Sequence, residues 1–437
     1  MKQKLDRFFR ISQRGSTLGR ELRGGCTTFC SMAYLALVIP GLLSRVGMDF
    51  REVMTATCLI AAVGSVLSGL TSNLPFALAP GLGFTTLFAY TLCGQYGCTG
   101  QQALALVLLS GALFLLLVLS PLRGRLNDAL PMPFKFALSA GVGLFLTLSG
   151  LINAGLITAD NNLVDMGTLA APEPLLALLG IFLTAVLVIR KVPGALMLGM
   201  ALTVVLGVPL GVTVLPQAAS VAPALSLAAW MPDFPGLLTM GPIPLLSALL
   251  SLVVSQYFDA LGTLLGVAGD AKLTDAAGDL PGQREAMLSC GAATCAGALL
   301  GVSSVTTVAE SATGIREGAR TGLAPVVTGV LFLCLLPFDA FAGVVSGAAL
   351  AAPLVMVGMS MMSGITQITW KHVEISLPSF LMIVGMPFTF SITTGVMLGV
   401  VSYVVVMVCR KRAHLVDPAL YCLAGVFALN AALGALS

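Results

Sequence analysis

The chain has 437 residues, of which 57% are hydrophobic and only 9% are charged, and its mean hydropathy is +1.00. Soluble domains carry roughly 25% charged residues, so this composition excludes an ordinary soluble protein and predicts a polytopic membrane protein. The formal net charge of +3 argues against a nucleic-acid partner, because the basic residues are better explained as determinants of membrane topology.

The N-terminal segment sets the expected orientation. Basic residues precede the first apolar stretch at Lys2, Lys4, Arg7, Arg10, Arg14, Arg20 and Arg23. Cytoplasmic segments of membrane proteins are enriched in Lys and Arg, so we expect a cytoplasmic N-terminus. About fourteen apolar stretches are candidates to cross a bilayer, and their alternation leaves only Arg45 and Arg51 of the 22 basic residues outside. We therefore expect an integral protein of the plasma membrane, which is the inner membrane in a bacterium.

Two of the apolar stretches are not typical of continuous helices. In the third, Pro75 and Pro80 each lack an amide donor and Gly81 loosens the backbone. In the tenth, the β-branched residues of 302–308 favour extended backbone, followed by a short helix over 309–318. A proline kink and an ordinary helix are the alternatives for each stretch alone. Matching positions in the two halves favour two broken spans whose extended segments pair and line a cavity.

The arithmetic of the spans predicts an inverted repeat. If each half contains an odd number of spans, the second half enters the membrane from the opposite side. The predicted fold class is an all-α polytopic membrane protein with about 14 spans in two inverted repeats of about seven, with broken third and tenth spans that contain short extended segments. The predicted segments are a cytoplasmic tail 1–23, a core domain 24–122 and 241–342, a gate domain 123–215 and 343–412, an external linker 216–240 and a C-terminal apolar segment 413–437. Residues 418–436 form either a further span or a docked tail.

Asp259 and Glu310 are the two most informative residues. Asp259 lies within 245–267, a stretch otherwise free of charge, and Glu310 follows the β-branched run. A carboxylate at the centre of a bilayer costs ~2.5–3.5 kcal/mol on insertion scales. Asp259 has a structural hydrogen bond as its alternative explanation, and Glu310 a favourable position in the first turn of a helix. Together they point to a polar cavity that handles protons or solutes.

Neighbouring residues suggest what the cavity binds. Thr263 lies four residues after Asp259 and therefore shares its helix face, while Phe258 adds an aromatic ring. Glu310 and Ser311 begin the predicted short helix, where backbone N–H groups are unpaired. Donors, acceptors and ring surfaces together suit a flat, neutral, hydrogen-bonding heterocycle better than an inorganic anion.

Several short motifs in a fixed order carry a family resemblance. The sequence from about Leu18 to Arg412 resembles the nucleobase-cation symporters of the nucleobase/ascorbate transporter superfamily, in the AzgA-like purine permease branch. The motifs are found at residues 25–29, 32–34, 73–83, 258–264, 310–314 and 320–323. The resemblance implies a core domain that moves against a gate domain. It also implies uptake of adenine, guanine or hypoxanthine, usually with protons.

The resemblance also implies roles for single residues. Asp259 and Glu310 match carboxylates that contact the base in relatives, and Thr263 stands where uracil-carrying relatives have a His. Residues 84–86, Phe-Thr-Thr, depart from the usual Leu-Asn-Ala, whereas the intact Ala-Pro-Gly at 79–81 favours adenine over guanine or hypoxanthine. The expected substrate-binding residues are Asp259, Glu310, Thr263, Phe258, Ser311, Phe76, Ala79, Gly81 and Phe29. For proton coupling we expect Glu310, with Asp259 as the alternative.

Other functions fit the sequence less well. An anion exchanger of the same fold would bind its substrate at helix N-termini, but two fixed carboxylates repel an anion. An intramembrane enzyme is disfavoured because the sequence offers no metal-ligand cluster, intramembrane His or nucleotide motif, and an inverted repeat favours a transporter over a channel. We expect H+ as the coupling ion, with Na+ as the alternative, and no cofactor. The expected partners are a purine nucleobase and membrane lipid, and a homodimer is an open alternative to a monomer.

Overall fold

The structure is a computed structural model. The residues that it describes are 2–120, 132–160, 163–169, 171–192, 194–213, 231–270, 273, 280–337, 346–389, 392–418, 420–421, 423–425 and 427–428. Much of the predicted external linker and the end of the C-terminal apolar segment lie outside these residues.

The first half of the chain contains nine α-helices, three short strands and one π-helical segment among the described residues. The helices are α1 Lys2–Phe9, α2 Leu18–Met32, α3 Leu35–Leu43, α4 Phe50–Ser72, α5 Leu82–Thr86, α6 Gly100–Leu119, α7 Met132–Asn153, α8 Pro172–Ile189 and α9 Ala195–Gly207. The π-helical segment Leu87–Gln95 continues α5 directly. The strands are β1 Leu78–Pro80, β2 Ile157–Asp160 and β3 Leu163–Met166.

The second half repeats the pattern of helices around one short strand, β4 Val305–Thr307. Its described helices are α10 Phe234–Leu237, α11 Pro242–Asp270, α12 Gln283–Leu300, α13 Ser311–Arg316, α14 Leu323–Leu333, α15 Gly347–Met362, α16 Val373–Phe388 and α17 Ile392–Cys409. The unit of long helix, strand and short helix therefore occurs twice, as α4–β1–α5 and as α12–β4–α13.

Local sequence signals explain where two long helices of the first half, α4 and α6, begin and where α4 ends. Asp49 precedes α4 and accepts hydrogen bonds from the amides of Arg51 and Glu52, which satisfies two of the unpaired N–H groups. Thr99 and Gln102 form a capping box at the start of α6. Asn73 ends α4 in a left-handed conformation with φ of 50°, and this turn directs the chain into β1.

The described helices have the length and composition of membrane spans. Among the residues that the structure describes, seven helices are long and apolar enough to cross a membrane. Four further apolar helices in the same ranges are shorter. The all-α membrane fold expected from the sequence is therefore present. The number of spans and their orientation stay predictions.

The helices pack in two groups. In the first, α14 packs against α2 and α4, and α12 packs against α4 and α6. In the second, α7 packs against α15 and α16, α15 packs against α8, and α16 packs against α17. Close helix contacts depend on glycine, as at Gly322, where an added Cβ would collide with the carbonyl of Gly69. The first group lies in the ranges predicted as the core domain, apart from the start of α2, which belongs to the predicted tail 1–23. The second group lies in the ranges predicted as the gate domain, and the division into domains stays a prediction.

The two extended segments pair with each other, as the sequence predicts. Strands β1 and β4 are antiparallel, with Leu78 opposite Thr307 and Ala79 opposite Thr306. Each strand is also held by a hydroxyl from the long helix that precedes it. Ser65 Oγ of α4 lies 2.9 Å from Leu78 N and 3.0 Å from Leu78 O, and it can accept from the first and donate to the second.

The second unit holds its strand in the same way. Thr294 Oγ1 of α12 accepts from Val305 N at 2.9 Å and lies 3.1 Å from Val305 O. Each short helix is tied across to the opposite unit: Ser311 Oγ accepts from Ala77 N at 3.0 Å, and the Thr85 and Ser303 hydroxyls are 2.7 Å apart. The paired strands and the two short helices are therefore joined in one hydrogen-bonded centre.

Candidate functional site

A cavity of about 800 Å³ lies between the two helix groups. On the side of the first group, its wall comes from the ends of β1 and β4, from α11 and from the start of α13; on the other side it comes from α7 and α15. A space of this size is in the range of small-molecule sites. Among the wall residues are Tyr34, Gly81, Asp259, Thr263, Thr306 and Glu310.

Asp259 lies on α11, which is continuous from Pro242 to Asp270, as the sequence predicts. Thr306 Oγ1 donates a hydrogen bond to Asp259 Oδ2 at 2.9 Å. Thr306 occupies the middle of β4, so the strand register fixes its hydroxyl. The bond orients the carboxyl group and engages one of its two oxygens.

Glu310 immediately precedes α13 and makes no side-chain cap to that helix. Instead, the hydroxyl of Tyr34 donates to Glu310 Oε1 at 2.6 Å. Tyr34 is fully buried between α2 and α3, so this short hydrogen bond joins the first predicted span to the tenth. Asp259 and Glu310 are close enough to interact electrostatically. Both half-buried carboxyl groups are thus presented to one cavity, each held by one hydroxyl donor.

An aromatic ring lies beside the polar pair. Phe84, at the start of α5, lines the cavity and is 6% exposed. A Cβ added at Gly81 would lie 2.7 Å from Phe84 Cδ2 and 3.0 Å from Thr306 Cγ2. A side chain at position 81 would collide with the Phe84 ring, so Gly81 allows Phe84 and the methyl group of Thr306 to pack around the same point of the backbone.

The predicted site residues divide into two groups. Asp259, Glu310, Thr263 and Gly81 all lie in the cavity wall, and their contact with a substrate stays a prediction. The structure does not bring the others to the wall: Phe29 packs edge-on against Phe332 with ring centroids 5.2 Å apart, Ser311 bonds the amide of Ala77, and Phe76 and Ala79 are fully buried. The side chain of Phe258 lies outside the described atoms.

Three of the wall residues that the sequence does not identify as site residues contact the predicted ones or lie next to them. Each of the three has a feature in the sequence that could have identified it. Tyr34 carries a hydroxyl within an apolar run, and Thr306 lies in the β-branched run that predicts β4. Phe84 is part of the departure from the family motif. The sequence could not show that these residues meet, because their contacts depend on the pairing of β1 with β4.

The two ends of the cavity differ. At one end its wall includes exposed residues of the chain, namely Val188, Arg316, Met359 and Ser363. Toward the other end of α7, Tyr90 donates from its hydroxyl to Asn153 Oδ1 at 3.0 Å. Gln95 Nε2 donates to the carbonyl of Thr389 at 2.9 Å. The cavity is therefore open near the start of α7 and closed near its end.

Comparisons with known proteins agree with one another. The sequence matches the permease family (Xan_ur_permease) over residues 19–398. It is 35% identical over 427 residues to the adenine permease AdeP of Escherichia coli (strain K12), covering 98% of this chain and 95% of AdeP. It is 36% identical over 439 residues to the guanine/hypoxanthine permease PbuG of Bacillus subtilis (strain 168), covering 97% and 98%.

Solved structures support the fold. The transmembrane domain of the cyanobacterial bicarbonate transporter BicA matches with a TM-score of 0.65 and 16% sequence identity, covering 88% of this chain and 97% of that chain. The likeness at this identity shows the fold alone.

Proposed function

This chain belongs to the permease family of nucleobase/ascorbate transporters, and from that premise we propose that it carries a purine base inward together with a proton. The chain is a transporter and an integral membrane protein rather than an enzyme. The observation that carries the proposal is the presentation of two oriented carboxyl groups, Asp259 and Glu310, to one cavity.

A purine base suits this arrangement chemically. The ring edges of purines carry both donors and acceptors, and each carboxyl group has one oxygen engaged by Thr306 or Tyr34. Phe84 offers a ring face for stacking, which contributes ~1–3 kcal/mol per base in nucleic-acid-binding proteins. A site built to hydrogen-bond its substrate rejects analogues that leave a buried group unpaired. The negative charge of the same two carboxyl groups would repel an inorganic anion and so disfavour its binding.

Adenine is the preferred substrate in this proposal, and guanine or hypoxanthine is the alternative. Relatives named for adenine and for guanine/hypoxanthine match this chain about equally well. The Ala-Pro-Gly sequence at 79–81 favours adenine by the family resemblance. Ala79 and Pro80 belong to β1, and Pro80 and Gly81 line the cavity.

Glu310 is the proposed proton-coupling residue. A proton on Glu310 reduces the charge that the first helix group carries through the apolar barrier when it moves. A protonated Glu310 also becomes a donor to the base, which would couple proton binding to substrate binding. Asp259 is bonded to strand β4 through Thr306, and in this scheme it orients the base.

Transport would proceed by alternating access in an elevator-type movement of the first helix group against the second. With a cytoplasmic N-terminus, the open end of the cavity near Lys135 and Arg316 faces the cytoplasm. The Tyr90–Asn153 and Gln95–Thr389 hydrogen bonds join the two groups at the closed end. This conformation would then be the inward-facing one, and these two contacts must break to admit substrate from outside.

Uptake in cells tests the proposal. Cells that express the chain should accumulate [3H]adenine, more as external pH falls, and a protonophore should abolish the accumulation. Unlabelled guanine and hypoxanthine serve as competitors that establish the preferred base, and sulfate uptake in the same cells tests the anion-exchanger alternative. Uptake that depends on Na+ and is independent of pH would contradict coupling to protons. Transport of sulfate without transport of any purine would contradict the proposal as a whole.

A further inference from the structure

Ser255 is a buried hydroxyl of α11 that no other contact explains. It is 5% exposed and lies in the cavity wall. Its Oγ has no hydrogen-bond partner among the described residues. Some helix hydroxyls bond back to a carbonyl one turn earlier, as Thr184 does to Gly180, and others such as Ser149 and Ser251 are also unpaired. Among the unpaired buried hydroxyls of the described residues, that of Ser255 belongs to a residue in the cavity wall, and the others do not. Because an unpaired buried hydroxyl is unfavourable, a ligand in the cavity is the natural partner of Ser255.

Helix geometry places Ser255 on the same face as the predicted binding residues. Ser255, Asp259 and Thr263 follow one another at intervals of four residues, and all three line the cavity. Four residues of helix advance about 6 Å, which is the scale of one heterocyclic ring. A flat base that contacts Asp259 can therefore extend along α11 to reach Ser255.

Ser255 lies toward the closed end of the cavity. The chain just before α11 contacts the chain just after Gln95, since Asp233 N donates to Gln101 O at 3.1 Å and Cys98 Sγ lies 3.7 Å from Met240 Sδ. Gln95 is one of the residues that close the cavity. Along α11, Ser255 is thus the deepest of the three polar residues, and Thr263 is the nearest to the open end.

We propose that Ser255 is a specificity-determining residue that bonds the polar substituent on the six-membered ring of a purine, an inference that rests on the proposed function. A serine hydroxyl both donates and accepts, so it pairs with the 6-amino group of adenine and with the 6-oxo group of hypoxanthine. It therefore selects 6-substituted purines over unsubstituted purine without distinguishing the two substituents. Discrimination between adenine and hypoxanthine is left to the carboxyl groups.

The test is competition of uptake in cells expressing the wild type, Ser255→Ala or Ser251→Ala. Unlabelled adenine, hypoxanthine and unsubstituted purine compete with [3H]adenine, or with [3H]hypoxanthine if that is the base taken up. Ser251 is a matched control, because it lies one turn earlier on α11, is fully buried and also lacks a partner among the described residues, but is not in the cavity wall. Loss of one neutral hydrogen bond should raise the inhibition constants of adenine and hypoxanthine about three- to tenfold in Ser255→Ala.

Unsubstituted purine provides the internal control for folding. Its inhibition constant should be unchanged in Ser255→Ala, and all three constants should be unchanged in Ser251→Ala. An equal loss for all three competitors, or no loss for any, overturns the role of Ser255 while leaving the proposed function intact. If the wild type takes up neither labelled base, the proposed function itself fails, and the role of Ser255 fails with it.

Discussion

Thr306 and Asp259 join the strand pair to the helix that crosses beside it. The hydroxyl of Thr306 donates to Asp259 Oδ2 at 2.9 Å, and Thr306 is fixed by its place opposite Ala79 in the β1–β4 register. The orientation of the Asp259 carboxyl group therefore depends on correct pairing of two segments that lie far apart in the chain. Through this bond, the pairing of the two strands determines how the Asp259 carboxyl group is presented to the cavity.

Thr306→Val tests that dependence. The substitution keeps the β-branched shape that suits a strand but removes the donor to a carboxylate, a bond worth ~1.5–3 kcal/mol. We expect the affinity for the transported base to fall about tenfold at unchanged expression. Competition of labelled base uptake by the unlabelled base measures the change.

Thr71→Val is the control for that experiment. Thr71 is exposed on α4, and its hydroxyl bonds the carbonyl of Leu67 and lies 2.9 Å from Ser289 Oγ, outside the cavity wall. Its substitution should leave the affinity unchanged. Equal affinities in Thr306→Val and the wild type would mean that the orientation of Asp259 does not contribute to binding.

Tyr34→Phe should alter the pH dependence of uptake. The variant keeps the buried ring and removes the hydroxyl that donates to Glu310 Oε1. A donor favours the ionised carboxylate, so its loss makes protonation easier. The pH at half-maximal uptake should therefore move upward in the variant. Tyr403→Phe is the control, since the Tyr403 ring packs against Phe134 outside the cavity wall; identical pH profiles for all three proteins would exclude Tyr34 from proton coupling.

Phe84→Ala should weaken binding without affecting the pH profile. Loss of a stacking ring costs ~1–3 kcal/mol per base in proteins that bind single-stranded nucleic acid. We expect an affinity loss of about tenfold or more, together with a half-maximal pH equal to that of the wild type. Phe84→Tyr retains the ring and should retain most of the affinity. An equally large loss in Phe84→Tyr would indicate that Phe84 acts by packing rather than by stacking.

The sequence predicts the fold well where a local pattern carries the information. Pro75 and Pro80 and the β-branched residues around Val305 predict both strands and their pairing. The sequence cannot give the register, because the contacts that accompany it join residues far apart in the chain, such as Ala77 with Ser311 and Thr85 with Ser303. The sequence predicts about fourteen membrane spans, and that number stays a prediction.

The candidate site is only partly predictable for the same reason. Asp259 and Glu310 are conspicuous because charge is expensive in an apolar stretch. Tyr34 is not conspicuous, because a tyrosine fits an apolar pattern whether or not its hydroxyl meets a carboxylate. Phe29 lies outside the cavity wall, and the sequence does not reveal that its ring packs against Phe332; its contact with substrate stays a prediction.

Thiol labelling tests the direction in which the cavity opens. Ser139 lines the cavity on α7, so Ser139→Cys should react with a membrane-impermeant thiol reagent in inside-out vesicles and be protected in intact cells. Thr158→Cys is the matched control: Thr158 is exposed on β2, beyond the other end of α7, and should react in intact cells. Labelling above that of the wild-type cysteines is the readout. The reverse pattern would contradict the inward-facing assignment and the cytoplasmic N-terminus together.

The most direct test of proton-coupled purine transport is accumulation of labelled base by purified protein in proteoliposomes with an imposed pH gradient. The account predicts that an inward proton gradient drives [3H]adenine, or one of the alternative bases, above its external concentration, and that a protonophore collapses the accumulation. Glu310→Gln should lose this accumulation while retaining some exchange of internal for external base. Accumulation by Glu310→Gln with normal pH dependence would move the coupling role to Asp259. Failure of the wild type to accumulate any purine under a proton gradient would contradict the central claim.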